Sequence, residues 1–155
     1  MEPRGPEIRA FRREDLDAVL SILYESAVKS GFGGSREKYV SDVTKEMNLE
    51  NDILRVLASR DDRVMGCTWA APYPRDADDT DTAFLFDISV RESYRRSGYG
   101  TGLSEDLFEQ LRNRGIETVN ARLAKRNEDG GAFLARLGFE LVRDDGLWTE
   151  WTRHV

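Results

Sequence analysis

The stretch "AFLFDISVRESYRRSGYGTGLSEDLFEQL", which begins at Ala83, constrains the fold more than any other part of the chain. An apolar, strand-like run at residues 83–90 passes through a turn that holds Arg95, Arg96, Gly98, Gly100 and Gly102. A helix follows, with Leu103, Leu107, Phe108 and Leu111 on one stripe, and Gly115 stops it. A second strand is predicted at residues 117–124. A helical crossover of this length joins a parallel strand pair with a right-handed connection. Strict alternation along the first strand puts Phe84, Phe86, Ile88 and Val90 on one face, and Leu85, Asp87 and Ser89 on the other.

The flanking segments supply more strands and helices. Residues 7–11 read as a strand. Leu16, Val19, Leu20, Leu23 and Ala27 recur at helical spacing, and Glu14, Asp15 and Asp17 suit the first turn of that helix. The glycine-rich loop "KSGFGGS" breaks it, and Ser35 caps a second helix with Tyr39, Val40, Val43 and Met47 on one face. Residues 53–59 and 63–71 read as a hairpin around "RDD", and 72–81 as a polar loop. Asn127 caps a helix bearing Phe133, Leu134 and Leu137, which Gly138 ends. Residues 139–143 and 147–152 close the chain as a hairpin around "DDG". The expectation is an α/β fold: a central mixed sheet of about six to seven strands flanked by about four helices, in a single domain spanning 1–155.

Composition excludes several functions. A formal net charge of -6 and an isoelectric point near 4.9 argue against nucleic acid as a partner, which calls for a basic face. The acidity leaves cationic small molecules or basic peptides open as substrates. No apolar run approaches the roughly 20 residues of a membrane helix, so no membrane partner is expected. The N-terminal segment lacks the apolar stretch of a signal peptide. One cysteine, Cys67, permits no internal disulfide and fits a reducing cytoplasm, and Cys67 is expected in the core. One cysteine and one histidine, His154, make a tetrahedral zinc site untenable, so no metal is expected. Trp148 and Trp151 alternate faces: one belongs to the core and the other is available for an interface, a homodimer included.

The glycine turn has a chemical use. The first turn of a helix leaves N–H groups without intrahelical partners, and glycines remove the side chains that would hold a ligand away. A phosphate or pyrophosphate fits such a place, with Arg95 and Arg96 adding charge. The dinucleotide pattern would need glycine where Leu103 stands, and no Gly-Lys-Ser/Thr occurs for a nucleotide loop. What remains is Arg95-x-x-Gly98-x-Gly100.

On those residues, "ISVRESYRRSGYGTGL" resembles the acyl-CoA binding motif of the GNAT superfamily of N-acetyltransferases: a strand, then R/Q-x-x-G-x-G/A, then a helix. "NEDGGAFLARLGF" is similar to a later segment of that family, with Asn127 eleven residues before Gly138. The resemblance implies acetyl-CoA, or a related acyl-CoA, in an opening between two splayed parallel strands. It implies that the backbone of Ile88, Ser89 and Val90 meets the pantetheine arm, and that N–H groups of Arg96, Ser97, Gly98, Tyr99, Gly100 and Thr101, beside Arg95, hold the pyrophosphate. Asn127 is expected near the pantetheine, as a helix cap, or both; Phe133 packs on the cofactor or in the core. The implied activity is transfer of an acetyl group to a primary amine of a small molecule or peptide by direct attack.

An alkylamine with a pKa of about 10.4 is mostly protonated at neutral pH, so a base must take its proton. Asp87, a carboxylate amid apolar residues, is the first candidate and Glu150 the second. The tyrosine that many family members carry seven residues after the asparagine is replaced by Leu134, and the position five before it, acidic in some relatives, is Arg122. Tyr73, Tyr94 and Tyr99, water, or an unassisted thiolate remain to manage the leaving group. Two rivals therefore stand beside the enzyme: a non-catalytic acyl-CoA-binding or regulatory module, and a protein binding a different phosphate ligand at the same turn.

Overall fold

A computed structural model describes residues 5–75 and 79–155; Asp76, Ala77 and Asp78 of the acidic loop lie outside the described residues. Seven strands form one sheet in the order β1-β2-β3-β4-β5-β7-β6. They are β1 (Glu7–Ala10), β2 (Ile53–Ala58), β3 (Val64–Pro72), β4 (Thr82–Val90), β5 (Thr118–Ala124), β6 (Glu140–Asp144) and β7 (Trp148–His154). Among the described residues, only β4 and β5 pair in parallel; every other neighbouring pair is antiparallel. The helix α3 (Tyr99–Asn113) makes the crossover between the parallel strands.

Burial on both faces of the sheet holds the layers together. On one face, α1 (Leu16–Lys29) and α2 (Arg36–Glu46) set Val19, Leu20, Ile22, Leu23 and Val43 against Leu54, Val56, Cys67 and Trp69. On the other face, α3 and α4 (Glu128–Arg136) set Leu107, Phe108, Leu111 and Leu134 against Ala83, Leu85, Val119 and Ala121. Each fully buried Leu, Ile or Phe contributes roughly 1.5–3 kcal/mol. Arg55 of β2 clamps Asp106 of α3 through two bonds of 2.8 and 3.0 Å, a forked geometry that fixes orientation as well as distance. Near the N-terminus, Arg9 bonds Asp15 at 2.8 and 3.0 Å and also reaches Asp62. That contact holds the Asp15 carboxyl below its ordinary range.

Local chemistry sets the element ends. The Ser35 hydroxyl accepts the Lys38 N–H at the start of α2, and Asn127 accepts the Gly130 N–H at the start of α4. Gly115 and Gly138, with φ of +80 and +89, end α3 and α4 in the left-handed region. The acidic residues expected at the start of the first helix are split. Arg13–Asp15 form a short 3-10 turn, and α1 proper begins at Leu16.

One expectation fails in β4. Trp69 pairs with Asp87 and Ala70 with Leu85, so Phe86 is an extra residue and the alternation breaks there. Ala83, Leu85, Ile88 and Val90 therefore face α3. Phe86 packs with the α1–α2 cluster, Phe84 touches Phe86, and Asp87 and Ser89 share the face of their cross-strand partners Trp69 and Cys67. A strictly alternating strand would have put Phe86 and Ile88 on one face; the bulge separates them.

Candidate active site

The parallel pairing of β4 with β5 runs from Thr82↔Thr118 to Leu85↔Ala121 and stops. Both strands continue, β4 to Val90 and β5 to Ala124, so a gap opens between them. The N–H of Arg91 donates to Met65 on β3. Strand alternation then turns the backbone of Ser89 and Asp87 toward β3, and that of Ile88 and Val90 toward the gap. Backbone groups in such a gap need partners, and a ligand carrying amides supplies them.

At the top of the gap lies the glycine turn. Gly98 caps α3 in the left-handed region (φ +79) and no side chain caps the helix. Arg96 is also left-handed, at φ +66. Among the described residues, no acceptor takes the N–H of Arg96, Ser97, Gly98, Tyr99, Gly100 or Thr101; the first helical bond runs from Gly102 to Gly98 at 3.1 Å. A Cβ on Gly98 would meet nothing within 4 Å, so the place above the helix is open. Six N–H groups without acceptors around a helix start are the kind of donor set a diphosphate takes. A Cβ on Gly100 would come within 3.2 Å of the Phe133 ring, so Phe133 of α4 abuts the start of α3.

Arg95 stands at the mouth of the gap. Its Nε donates to the Val90 carbonyl at 2.9 Å, and its Nη2 lies 4.0 Å from Glu25 of α1. Glu25 also accepts the Glu92 N–H, so a helical carboxylate fixes the end of β4. Arg96 and Ser97 are exposed. The Asn127 amide reaches Ser30 Oγ at 3.4 Å, and Arg126 reaches the Gly31 carbonyl at 3.4 Å. The loop between α1 and α2 therefore bridges to the loop between β5 and α4.

Asp87 stands on the second residue past the point where β4 and β5 part. Burial pushes its carboxyl up to about 6, partly countered by the Ser89 hydroxyl, the Ile88 N–H and Arg95. The Ser89 hydroxyl donates to Asp87 Oδ1, and no other side chain among the described residues bonds that carboxylate. Tyr39 packs on the α1–α2 cluster that also holds Cys67 and Trp69. Burial, and then the charge on Asp87, push its phenol up.

A sequence model of the acetyltransferase (GNAT) family matches residues 19–139. The chain belongs to the acetyltransferase (GNAT) family. The ribosomal protein bS18-alanine N-acetyltransferase of Escherichia coli (strain K12) is 37% identical over 59 residues, 38% of this chain and 40% of that protein. The match thus spans less than half the length of that curated relative. The crystal structure of the ribosomal-protein-S18-alanine N-acetyltransferase from Escherichia coli superposes with a TM-score of 0.70 at 21% identity, covering 97% of this chain and 94% of that one. The PaiA N-acetyltransferase from Thermoplasma acidophilum, solved in complex with coenzyme A, gives 0.77 at 18% identity over 98% of this chain and all of the other. These structures share the fold of this chain.

The remaining sequence candidates of this GNAT chain fall in different places. Glu150 of β7 pairs with Arg122 of β5, on the same face as Asp87 but with β5 between them. Leu134, at the family's tyrosine position, is a core residue 5% exposed. Tyr94 and Tyr99 pack with Val90 and Leu103, on the α3 side of the sheet. Tyr73 is exposed after β3. Cys67 is buried, and its thiol is pushed up by burial. Among the described residues, no three His, Cys, Asp or Glu gather as a metal site, and no helix is long and apolar enough to cross a membrane. Tyr39 and Glu25 joined the site without a motif to announce them. Tyr39 carries only the signature of a helix face, and Glu25 that of a solvated helix charge.

Proposed function

We propose that this chain transfers the acetyl group of acetyl-CoA to a primary amine of a small molecule or peptide, by direct attack and within one domain. The observation that carries the reading is the pairing of six unengaged N–H groups at the start of α3 with a strand gap that ends beside Asp87. Residues 96–101 bind the diphosphate through their main chain, and Ile88 and Val90 present backbone groups to the pantetheine arm. The Val90 carbonyl is already held by Arg95 and the Ile88 N–H by the Asp87 carboxylate, so the Val90 N–H and the Ile88 carbonyl do that work. Acetyl-CoA supplies a thioester activated toward amines. Asp87, ionised in about half the molecules at its pKa of about 6 and in most at neutral pH, takes the amine proton. Glu150 serves as a more distant acceptor of protons or as a contact for a cationic substrate.

A peptide N-terminus is one candidate acceptor, because the E. coli relative is named for an alanine of a ribosomal protein. Asn120, Arg122, Glu150 and Thr152 line the sheet face beyond Phe84, where such a chain would lie. The exposed Leu141, Val142, Leu147 and Trp148 of the last hairpin offer a surface on which a homodimer would close. A cytoplasmic setting suits the lone buried thiol.

One observation favours a second reading. Leu134 has no proton to give, which would suit a binding module that releases no thiol. Two measurements separate the readings. Acetyl-CoA and CoA raise the melting temperature and ATP and NAD do not, because only a ligand of the native state stabilises it. Free thiol then appears when an amine panel is added. Equal stabilisation by ATP contradicts the cofactor assignment, and stabilisation without thiol release across the panel selects the binding module.

A further inference from the structure

Resting on the acetyl-transfer reading, we propose that the acceptor is a small zwitterion, a primary amine that also carries a carboxylate, and that Arg122 binds that carboxylate while the amine sits at Asp87. Strand register places Arg122. The last parallel pair is Leu85↔Ala121, so Arg122 is the first residue of β5 past the point where the strands part. Val119 and Ala121 face α3 and α4, and strand alternation turns Arg122 to the opposite face. Asp87 shares that face, because the extra residue at Phe86 moves it to the side of Trp69. A carboxylate and a guanidinium thus flank the opening from its two strands, on one face of the sheet. Over β2, β3 and β4 that face is covered by α1 and α2; Arg122 and Trp148 stand exposed beyond them.

The guanidinium of Arg122 is set over the Trp148 ring, 4.4 Å from its centroid. Trp148 lies on β7, two residues before Glu150, which is the cross-strand partner of Arg122. A guanidinium held over an aromatic face is ordered, yet keeps its N–H groups for another partner, and a carboxylate matches that fork through two parallel bonds. Other arginines around the cleft are engaged: Arg75 bonds Asp52, Arg95 the Val90 carbonyl and Arg126 the Gly31 carbonyl. Among the described residues, Arg122 makes no ion pair and its side chain donates no hydrogen bond. Glu150 stands opposite Arg122 in register but also opposite Arg143 of β6, so neither guanidinium has that carboxylate to itself. Asp145, in the turn of the hairpin, accepts from the N–H groups of Leu147 and Trp148. A plain amine leaves Arg122 unused, and a diamine brings it a second cation, which it repels. An amine with a carboxylate satisfies both ends. The net charge of -6 favours cations only at long range, where salt screens it; the group in contact decides recognition.

Thiol release is followed with the common α-amino acids, β-alanine and γ-aminobutyrate, each beside its own carboxamide. For the acids that are turned over, kcat/KM exceeds that of the amide by about tenfold to a hundredfold, and the difference lies in KM. The α, β and γ spacings measure the span from Asp87 to Arg122. Arg122→Met keeps an unbranched apolar stem over Trp148, removes the charge and erases the preference, with CoA affinity by calorimetry unchanged. Arg122→Glu inverts it, so that putrescine is preferred to γ-aminobutyrate. Amides turned over as well as their acids by the wild type, equal losses for acid and amide in Arg122→Met, or turnover confined to amines without a carboxylate overturns the proposal. Calorimetry of the same acids against the CoA-loaded protein reads Arg122 without turnover. Binding that Arg122→Met abolishes upholds the carboxylate contact even where no amine releases thiol, and that result strikes only the acetyl-transfer reading beneath it. Absence of any such binding overturns the contact itself.

Discussion

In the acetyl transfer proposed above, the donor side and the acceptor side of the cleft are built from different material. The donor side is main chain: N–H groups of residues 96–101 above α3 and the edge of β4 at Ile88 and Val90. The acceptor side is side chains drawn from segments far apart: Tyr24 from α1, Tyr39 from α2, Trp69 from β3, Phe86 and Asp87 from β4. A main-chain site tolerates nearly any side chain that leaves the backbone accessible, so its demands concentrate on a few glycines. A side-chain site can be rebuilt residue by residue without disturbing the fold, which is how one architecture serves many acceptors.

The sharpest way to break that division is at Asp87. Asp87→Asn lowers kcat about a thousandfold while CoA affinity, read by calorimetry, stays within a few-fold. Equal losses in both would mean that the two sides are not separable. The same group sets the pH profile. Asp87 works as a base only when ionised, so kcat/KM rises with pH through about 6 and levels off above it, and Asp87→Asn abolishes that limb. A profile without an acid limb near 6 removes Asp87 from proton transfer.

On the donor side the opposite split is expected. Gly98 has φ +79 with open space around a Cβ, so Gly98→Val strains the backbone by roughly 1–2 kcal/mol or more and turns the N–H groups away. CoA binding weakens about thirtyfold, whereas turnover at saturating acetyl-CoA changes little. Tight CoA binding by Gly98→Val would show that the turn is not the diphosphate site.

Stability sharpens the contrast further. Asp87 titrates above the ordinary carboxyl value of 3.8 in the folded protein, so the native state binds its proton more tightly than the unfolded chain does. The stability it contributes is fully present below about 4 and is lost as pH rises to about 6. Near neutral pH Asp87→Asn is therefore stabilising, on the order of 3 kcal/mol, although it disables turnover; a lower melting temperature at pH 7 than wild type would contradict the cause assigned to that shift. The smallest effect is at the second loop. Asn127→Ala loses the cap on the Gly130 N–H and costs about 1 kcal/mol, seen as a drop of several degrees in melting temperature. No drop would mean that water replaces the cap without cost.

The same division explains what could be read from the amino-acid sequence. The glycines at 98 and 100 and the Asn127 and Gly138 pair specify backbone conformations, and such demands show as residue types at fixed spacing. The parallel pair, the four helices and the closing hairpin followed from hydrophobic periodicity. The bulge at Phe86 did not: "AFLFDISV" alternates as well with an extra residue as without one, and only pairing with β3 reveals it. Arg95 reads as phosphate-binding charge because it adjoins the turn; that its side chain also bonds the Val90 carbonyl and nears Glu25 is tertiary and leaves no mark on the sequence. Tyr39 had the spacing of a core residue, and its ring packs, partly buried, against the α1–α2 cluster.

The central claim is that main-chain hydrogens at the start of α3 hold the diphosphate of CoA. Amide NMR of the labelled protein titrated with CoA tests it residue by residue. The account predicts the largest changes at the N–H groups of residues 96–101, with a second group at 88 and 90. Amides at 96–101 that stay unmoved while CoA binds elsewhere, such as the hollow beneath Lys45 and Arg75, would contradict it.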